Sequence, residues 1–217
     1  MKIILGTAHL SSTAGKRSPD GLFREYKYSR EICKLVKEAL VQRGYDCVID
    51  YEDDDMPGLT SSQELIKRVK IINDYCNKLG KNNCIYVSIH VNASAKSGWD
   101  TATGFSIYTS IGNTQSDKLA TSIWNEASKL LVPIGKKLRR DISDGDVDYE
   151  SDFYVLRKTN CPAVLSENFF QNTKSDVEFL TSKEGKQIVV DYHVNGIIKY
   201  LERWRKLFYT VGNYHKI

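Results

Sequence analysis

A chain of 217 residues, 41% of them hydrophobic, is long enough to bury one sizeable core, and nothing in its length requires a second domain. Its formal net charge of +4 arises from Lys, Arg, Asp and Glu interspersed along the chain, which excludes a nucleic-acid footprint and leaves a mild attraction to anionic polymers or surfaces. No apolar run reaches the length of a membrane span, and the apolar part of the opening MKIILGTAHLSS is too short for a signal peptide, so synthesis in a reducing cytoplasm is expected.

The first apolar run, KIILGTA (2–8), reads as a strand, and Glu25 to Arg43 has the period of a helix, stopped by Gly44. DCVID (46–50) follows as a second strand, then a helix from Ser61 to Leu79 and the strand CIYVSIH (84–90). GFSIYTS (104–110), a helix from Thr114 to Leu131, the strand PAVLSE (162–167) and a long helix starting near Thr181 complete the pattern. Strands alternating with helices predict a single α/β domain over residues 1–217, with a mostly parallel, twisted sheet and helices on both faces. The buried stripes predicted are Ile32, Leu35, Val36, Ala39 and Leu40 on the first helix, and Leu65, Val69, Ile72, Cys76 and Leu79 on the second.

Residues 10–24 and 133–153 lack periodicity and read as loops long enough to shape a site, and the tail after about Lys206 reads as a cap or a frayed end. There is no repeat, low-complexity segment or Pro- or Gly/Ser-rich linker. The five cysteines, Cys33, Cys47, Cys76, Cys84 and Cys161, are odd in number, lack a C-x-x-C spacing and sit mostly in apolar periodic segments, so buried free thiols are expected rather than disulfides.

In parallel α/β sheets, ligands bind beyond the carboxyl ends of the strands. ILGTAH ends on His9, IYVSIH on His90 and AVLSE on Glu167, while Glu25 opens the first helix where it would face the same end. Two histidines and a carboxylate are a ligand set for catalytic zinc, with His9, Glu25 and His90 as ligands and Glu167 as the non-ligand carboxylate that accepts a proton from water. The alternatives are a satisfied sheet-edge histidine at His90 and a polar loop residue at His9. No local H-E-x-x-H motif is present.

The contexts of these residues resemble a known family. SIHVNAS and PAVLSENFFQN, together with LIKRVKIIND (carrying Arg68 and Asn73) and YVLRKTNCPAVLSE, resemble the amidase-3 family of zinc-dependent N-acetylmuramoyl-L-alanine amidases, catalytic domains of bacterial autolysins and phage endolysins. The resemblance spans His9 to Asn172 in the right order. It implies Zn2+ held by His9, Glu25 and His90, Glu167 as the catalytic carboxylate, and hydrolysis of the amide between the N-acetylmuramic acid lactyl group and L-alanine of peptidoglycan. One departure concerns the first histidine: the family surrounds it with Pro and Gly, whereas here Thr7 and Ala8 precede His9, and Leu10 and Ser11 follow. Glu31 competes with Glu25 as a ligand but lies nearly two turns into the helix.

Asn92 and Asn168 are expected to bind substrate or to orient neighbouring groups, with loop-forming asparagines as the bland alternative. His193 reads as a partly exposed helical residue, and His215 belongs to the tail. The stretch DISDGDVDYESD (141–152) fails the EF-hand spacing and reads as a charged rim of the site, and Trp99 as a wall of a glycan groove or a lid over core residues. The rival functions are an inactive peptidoglycan-binding module and a zinc peptidase cutting the stem peptide. A monomer is expected, reaching the cell wall or periplasm either after phage-mediated release or as an autolysin.

Overall fold

The structure, a computed structural model, describes residues 1–212, so His215 and the last five residues lie outside it. In chain order its elements are β1 (Lys2–Thr7), α1 (Glu25–Gln42), β2 (Asp46–Ile49), α2 (Ser61–Leu79), β3 (Cys84–Asn92), β4 (Phe105–Thr109), α3 (Gln115–Leu131), β5 (Tyr149–Glu150), α4 (Tyr154–Lys158), β6 (Ala163–Phe170), α5 (Lys174–Thr181) and α6 (Lys183–Gly212). One six-stranded sheet runs in the order β2-β1-β3-β6-β4-β5, and only the β4 to β6 pairing is antiparallel. The expected mostly parallel α/β architecture is therefore the observed one. β5, α4 and α5 were not anticipated because two, five and eight residues carry too few repeats of either period.

Alternation along the strands sorts the core into two layers. Ile85, Val87, Ile89 and Val91 of β3 pack with α1, α3 and α6, whereas Cys84 and Tyr86 pack with Val69, Ile72 and Cys76 of α2 and Val155 and Leu156 of α4. Ser88 and His90 continue the second row on β3, as Glu167 continues the Ala163 and Leu165 row on β6. Gly6 of β1 lets Tyr86 cross beside it, since a Cβ there would lie 2.0 Å from the Tyr86 hydroxyl oxygen. All five cysteines are buried and free.

The predicted stripes need correction at their margins, where Leu35, Leu65 and Leu79 are 38%, 36% and 38% exposed. On α2 the reason is a charged pair facing inward. Glu64 and Arg68, one turn apart, are both buried, and they rotate the contact face of the helix away from Leu65. Arg68 is fully enclosed: its Nη1 donates to both carboxylate oxygens of Asp50 at 3.0 Å, and its Nε donates to Glu64 at 2.9 Å.

His193 of α6 also departs from expectation, since it is fully buried. Its Nε2 lies 2.9 Å from Ser166 Oγ and its Nδ1 2.8 Å from the Val189 carbonyl, so the α6 side of β6 satisfies both ring nitrogens. Burial holds this imidazole neutral, pushing its pKa down to about 4. An unfolded chain binds the proton near pH 6.5, so the linked stability is present above that pH and is lost as pH falls toward 4. Urea unfolding should show a loss on the order of 3 kcal/mol from this source between pH 7 and 4, with a shallower slope in His193→Gln. Equal slopes in the two proteins would exclude His193 as the source.

Candidate metal centre

Sheet topology brings the strand-end residues together. β1, β3 and β6 are neighbours and run the same way, with His90 directly across from Glu167 in register. Glu25 is the first residue of α1 and is fully buried, so the helix mouth delivers a carboxylate to the end of the sheet. His9, Glu25 and His90 each place one ligand atom within 4.8 Å of the others. Glu31, the competitor, turns outward and pairs with Lys186 at 2.7 Å.

Glu25 Oε1 accepts the Val91 N–H at 3.1 Å and lies 3.2 Å from His90 Nδ1 and 3.4 Å from His9 Nε2. The two imidazole rings stand perpendicular, with centroids 5.1 Å apart. The ends of this set are unspent: His9 Nε2, Glu25 Oε2 and Glu167 Oε2 are buried atoms without a hydrogen-bond partner. Buried polar atoms in proteins are nearly always satisfied, so three orphans converging from separate elements fit a site built around a bound cation. The donor set of two imidazoles and a carboxylate is the chemistry that zinc accepts.

Electrostatics separate the two carboxylates. Burial alone would raise Glu25, but the flanking His9 and His90 outweigh it and hold its carboxyl well below the usual range. Glu167 is raised well above that range by burial and by the charge of Glu25, against an opposing pull from Lys16. His90 is lowered to about 4, chiefly by burial, which keeps a ring nitrogen available as a ligand. One carboxylate is thus kept ionised and the other is poised to hold a proton.

The loop bearing His9 lacks the family's glycines, and the backbone shows how it manages. His9 takes a left-handed conformation at φ +49, uncommon for a residue with a Cβ. Helix α1 clamps that turn: Ser29 Oγ accepts the Ala8 N–H at 2.8 Å and donates to the Ile89 carbonyl at 2.6 Å, while Arg30 donates to the Ala8 and His9 carbonyls at 3.1 Å. Ser29 and Arg30 escaped the sequence reading, although both lie one turn beyond Glu25. Ser88 escaped as well; its Oγ sits 3.0 Å from His90 Nε2, two residues earlier on the same strand face.

A cavity of about 260 Å³ opens over these residues, lined by His9, Lys16, Arg68, His90, Phe153 and Glu167 among others. Lys16 comes from the first aperiodic loop and Phe153 from the end of the second, as expected of loops that shape a site. Leu65, displaced from the core, lines the wall. Asn168 does not reach the cavity. It is fully buried, donates to the His90 carbonyl at 2.7 Å and accepts the Tyr192 hydroxyl, so it braces the strand behind His90. Asn92 is partly exposed at the end of β3 and accepts the Ala93 N–H. Trp99 lies under the Lys174 ammonium, 5.5 Å from its ring centroid, and is not among the residues lining the cavity.

Among the described residues, no helix is long and apolar enough to cross a membrane. The chain is 32% identical over 119 residues to YqiI of Bacillus subtilis (strain 168) and 27% identical over 176 residues to an endolysin of Bacillus phage SPP1, covering 55% and 81% of this chain. It spans about half the length of these curated relatives, 52% and 58% respectively. The fold is shared with an N-acetylmuramoyl-L-alanine amidase from Clostridium difficile 630, at a TM-score of 0.76 and 23% identity, covering 93% of this chain and 96% of that one. The family profile described as N-acetylmuramoyl-L-alanine amidase matches residues 3–199, with the strand-end histidines and both carboxylates inside that span, and the chain belongs to this amidase-3 family.

Proposed function

We propose that this chain acts as one catalytic domain that hydrolyses the amide between the lactyl group of N-acetylmuramic acid and L-alanine in peptidoglycan, using zinc held by His9, Glu25 and His90. The observation that carries this reading is the convergence of three ligand atoms within 4.8 Å beside a cavity also lined by Glu167, whose buried Oε2 has no hydrogen-bond partner. When bound, zinc supplies the Lewis acidity that brings water toward ionisation near neutral pH and polarises an amide carbonyl.

The protein's own residues do the rest. Glu25, anchored by the Val91 N–H and kept ionised between two imidazoles, fixes the orientation of both histidines. Glu167, raised by burial, takes a proton from the attacking water and passes it to the leaving amine of L-alanine. Lys16, 4.0 Å from Glu25 Oε2, adds positive charge at the cavity wall where an oxyanion would develop. Asn92, partly exposed at the end of β3, is the residue to which this reading assigns substrate contact.

The test is digestion of purified cell wall by protein of known metal content. About one zinc per chain, with new L-Ala amino termini and release of peptide from the lactyl group, is the expected result. New termini elsewhere in the stem peptide would indicate a peptidase, and wall binding without any new termini would indicate a binding module.

A further inference from the structure

The acidic stretch read as part of the active-site rim delivers two of its carboxylates elsewhere. β4 is antiparallel to β6, so its last residue, Thr109, lies beyond Leu165 toward the amino-terminal end of β6, at the opposite end of the sheet from His90 and Glu167. Tyr108 packs in the layer of α2 and α4, so by alternation Thr109 faces the α3 layer. Its hydroxyl donates to Asp148 Oδ2 at 2.6 Å, which fixes Asp148 at that far corner.

Two further carboxylates meet it there. Asp146, two residues earlier and just past Gly145 at φ +105, and Asp117, in the first turn of α3, each bring an oxygen within 4.8 Å of the others. Asp117 Oδ2 accepts the Thr114 N–H at 2.5 Å and its Oδ1 accepts the Thr114 hydroxyl at 3.2 Å. Asp146 Oδ1 accepts the Asp148 N–H at 3.3 Å. Asp148 is only 2% exposed, yet its Oδ1 is a buried atom with no hydrogen-bond partner. A carboxylate oxygen with nothing to accept, enclosed beside two more carboxylates, carries an unpaid desolvation cost that a cation removes.

We infer that Asp117, Asp146 and Asp148 form a calcium site, separate from the catalytic centre, that ties the end of the long 133–153 loop to the first turn of α3. The donors are all oxygens, with no histidine or cysteine among them, which selects a hard cation over zinc. Ligands from a loop and a helix turn, in irregular array, suit the flexible coordination of calcium better than the strict octahedron of magnesium. The amino terminus of α3 disfavours a cation, so binding depends on the full set of three charges. Beyond Asp148 the chain forms β5 and enters α4, whose flank supplies Phe153 and Tyr154 to the catalytic cavity. The sequence hid this site because Asp117 belongs to the capping box of another element, α3, and no single stretch carries the ligand spacing.

Terbium, a luminescent stand-in for calcium, tests the site in the zinc-loaded 217-residue chain. Tyr149 follows Asp148 and stacks on Tyr108 with ring centroids 5.3 Å apart, so excitation of tyrosine should sensitise one bound terbium that calcium displaces. Asp146→Asn, at a partly exposed position, should weaken terbium binding at least ~10-fold, as should Asp148→Asn, while Asp74→Asn, an exposed carboxylate on α2, leaves it unchanged. Saturating calcium should raise the thermal midpoint of the unaltered protein by about 5 °C and leave that of Asp146→Asn unmoved. The assignment is overturned if no sensitised emission is displaced by calcium, if the calcium-dependent rise survives in Asp146→Asn, or if equal magnesium produces the same rise.

Discussion

Glu167→Gln should lower wall-hydrolysing activity by roughly 10²- to 10⁴-fold while leaving the zinc content unchanged, because it removes the proton acceptor without touching His9, Glu25 or His90. The substitution keeps the shape of the side chain and takes away only its capacity to ionise. A second readout separates catalysis from structure. Glu167 is raised well above the usual carboxylate range when buried beside Glu25, so in the metal-free protein its stabilising protonated form is held at pH values where the unfolded chain has already ionised. That makes the native carboxyl a net liability above about pH 4.5, and the neutral glutamine relieves it. The thermal midpoint of the metal-free variant should therefore not fall. A variant that lost activity together with zinc or stability would place Glu167 among the residues that build the site rather than those that move the proton.

Arg68→Ala should cost about 3 to 5 kcal/mol of folding stability, measured as a shift of the denaturant midpoint at unchanged slope. The guanidinium is enclosed with Asp50 and Glu64, whose side chains are 0% and 4% exposed, and its removal strands both carboxylates. Asp50 would retain only the Thr7 N–H at 3.1 Å, a long contact with the Thr7 hydroxyl and the Tyr86 hydroxyl at 3.3 Å. Neutralising the network as a whole, with Arg68→Met, Asp50→Asn and Glu64→Gln together, should recover a large part of the loss, since the cost comes from uncompensated charge rather than from a missing contact. A loss below about 1 kcal/mol in the single variant would mean that water enters and solvates the carboxylates. The network also touches the site: Thr7, which precedes the His9 turn, receives Arg68 Nη1 at 3.0 Å, so the variant should bind zinc less tightly as well.

Both predictions follow from where the site draws its rigidity. His9 sits at a left-handed position that costs energy, and it is held by side chains from α1 and by the Arg68 network beneath it. Asn168 and Tyr192 support His90 from the other face of the sheet. Metal ligands on strand ends need such backing because a shift of a few tenths of an ångström alters coordination.

Much of this protein was legible before any coordinates. Apolar runs and helical periods marked nine of the elements, β1 to β4, β6, α1 to α3 and α6, within a few residues of their observed ends, because burial on one or both faces writes its period directly into the chain. His9, His90 and Glu167 stood out because each closes an apolar run, and Glu25 because it opens a helix, and the parallel sheet then placed all four at one end. What the chain order alone could not settle were the contacts made through space. Glu64 and Arg68 lie outside the apolar stripe predicted for α2 and are nevertheless buried, because Asp50, just past the end of β2, meets Arg68 there. His193 looks half-exposed and is enclosed, because Ser166 lies above it on β6. Asn168 looks like a substrate contact and is a brace, because Tyr192 comes up from α6 behind it. Asp148 looks like a rim charge and meets Asp117 at the far corner, because β4 runs against β6. Periodicity reports which side of an element is buried. Only the packed topology decides which distant residue waits on that side, and the polar residues whose roles it reassigned are those whose partners lie in another element.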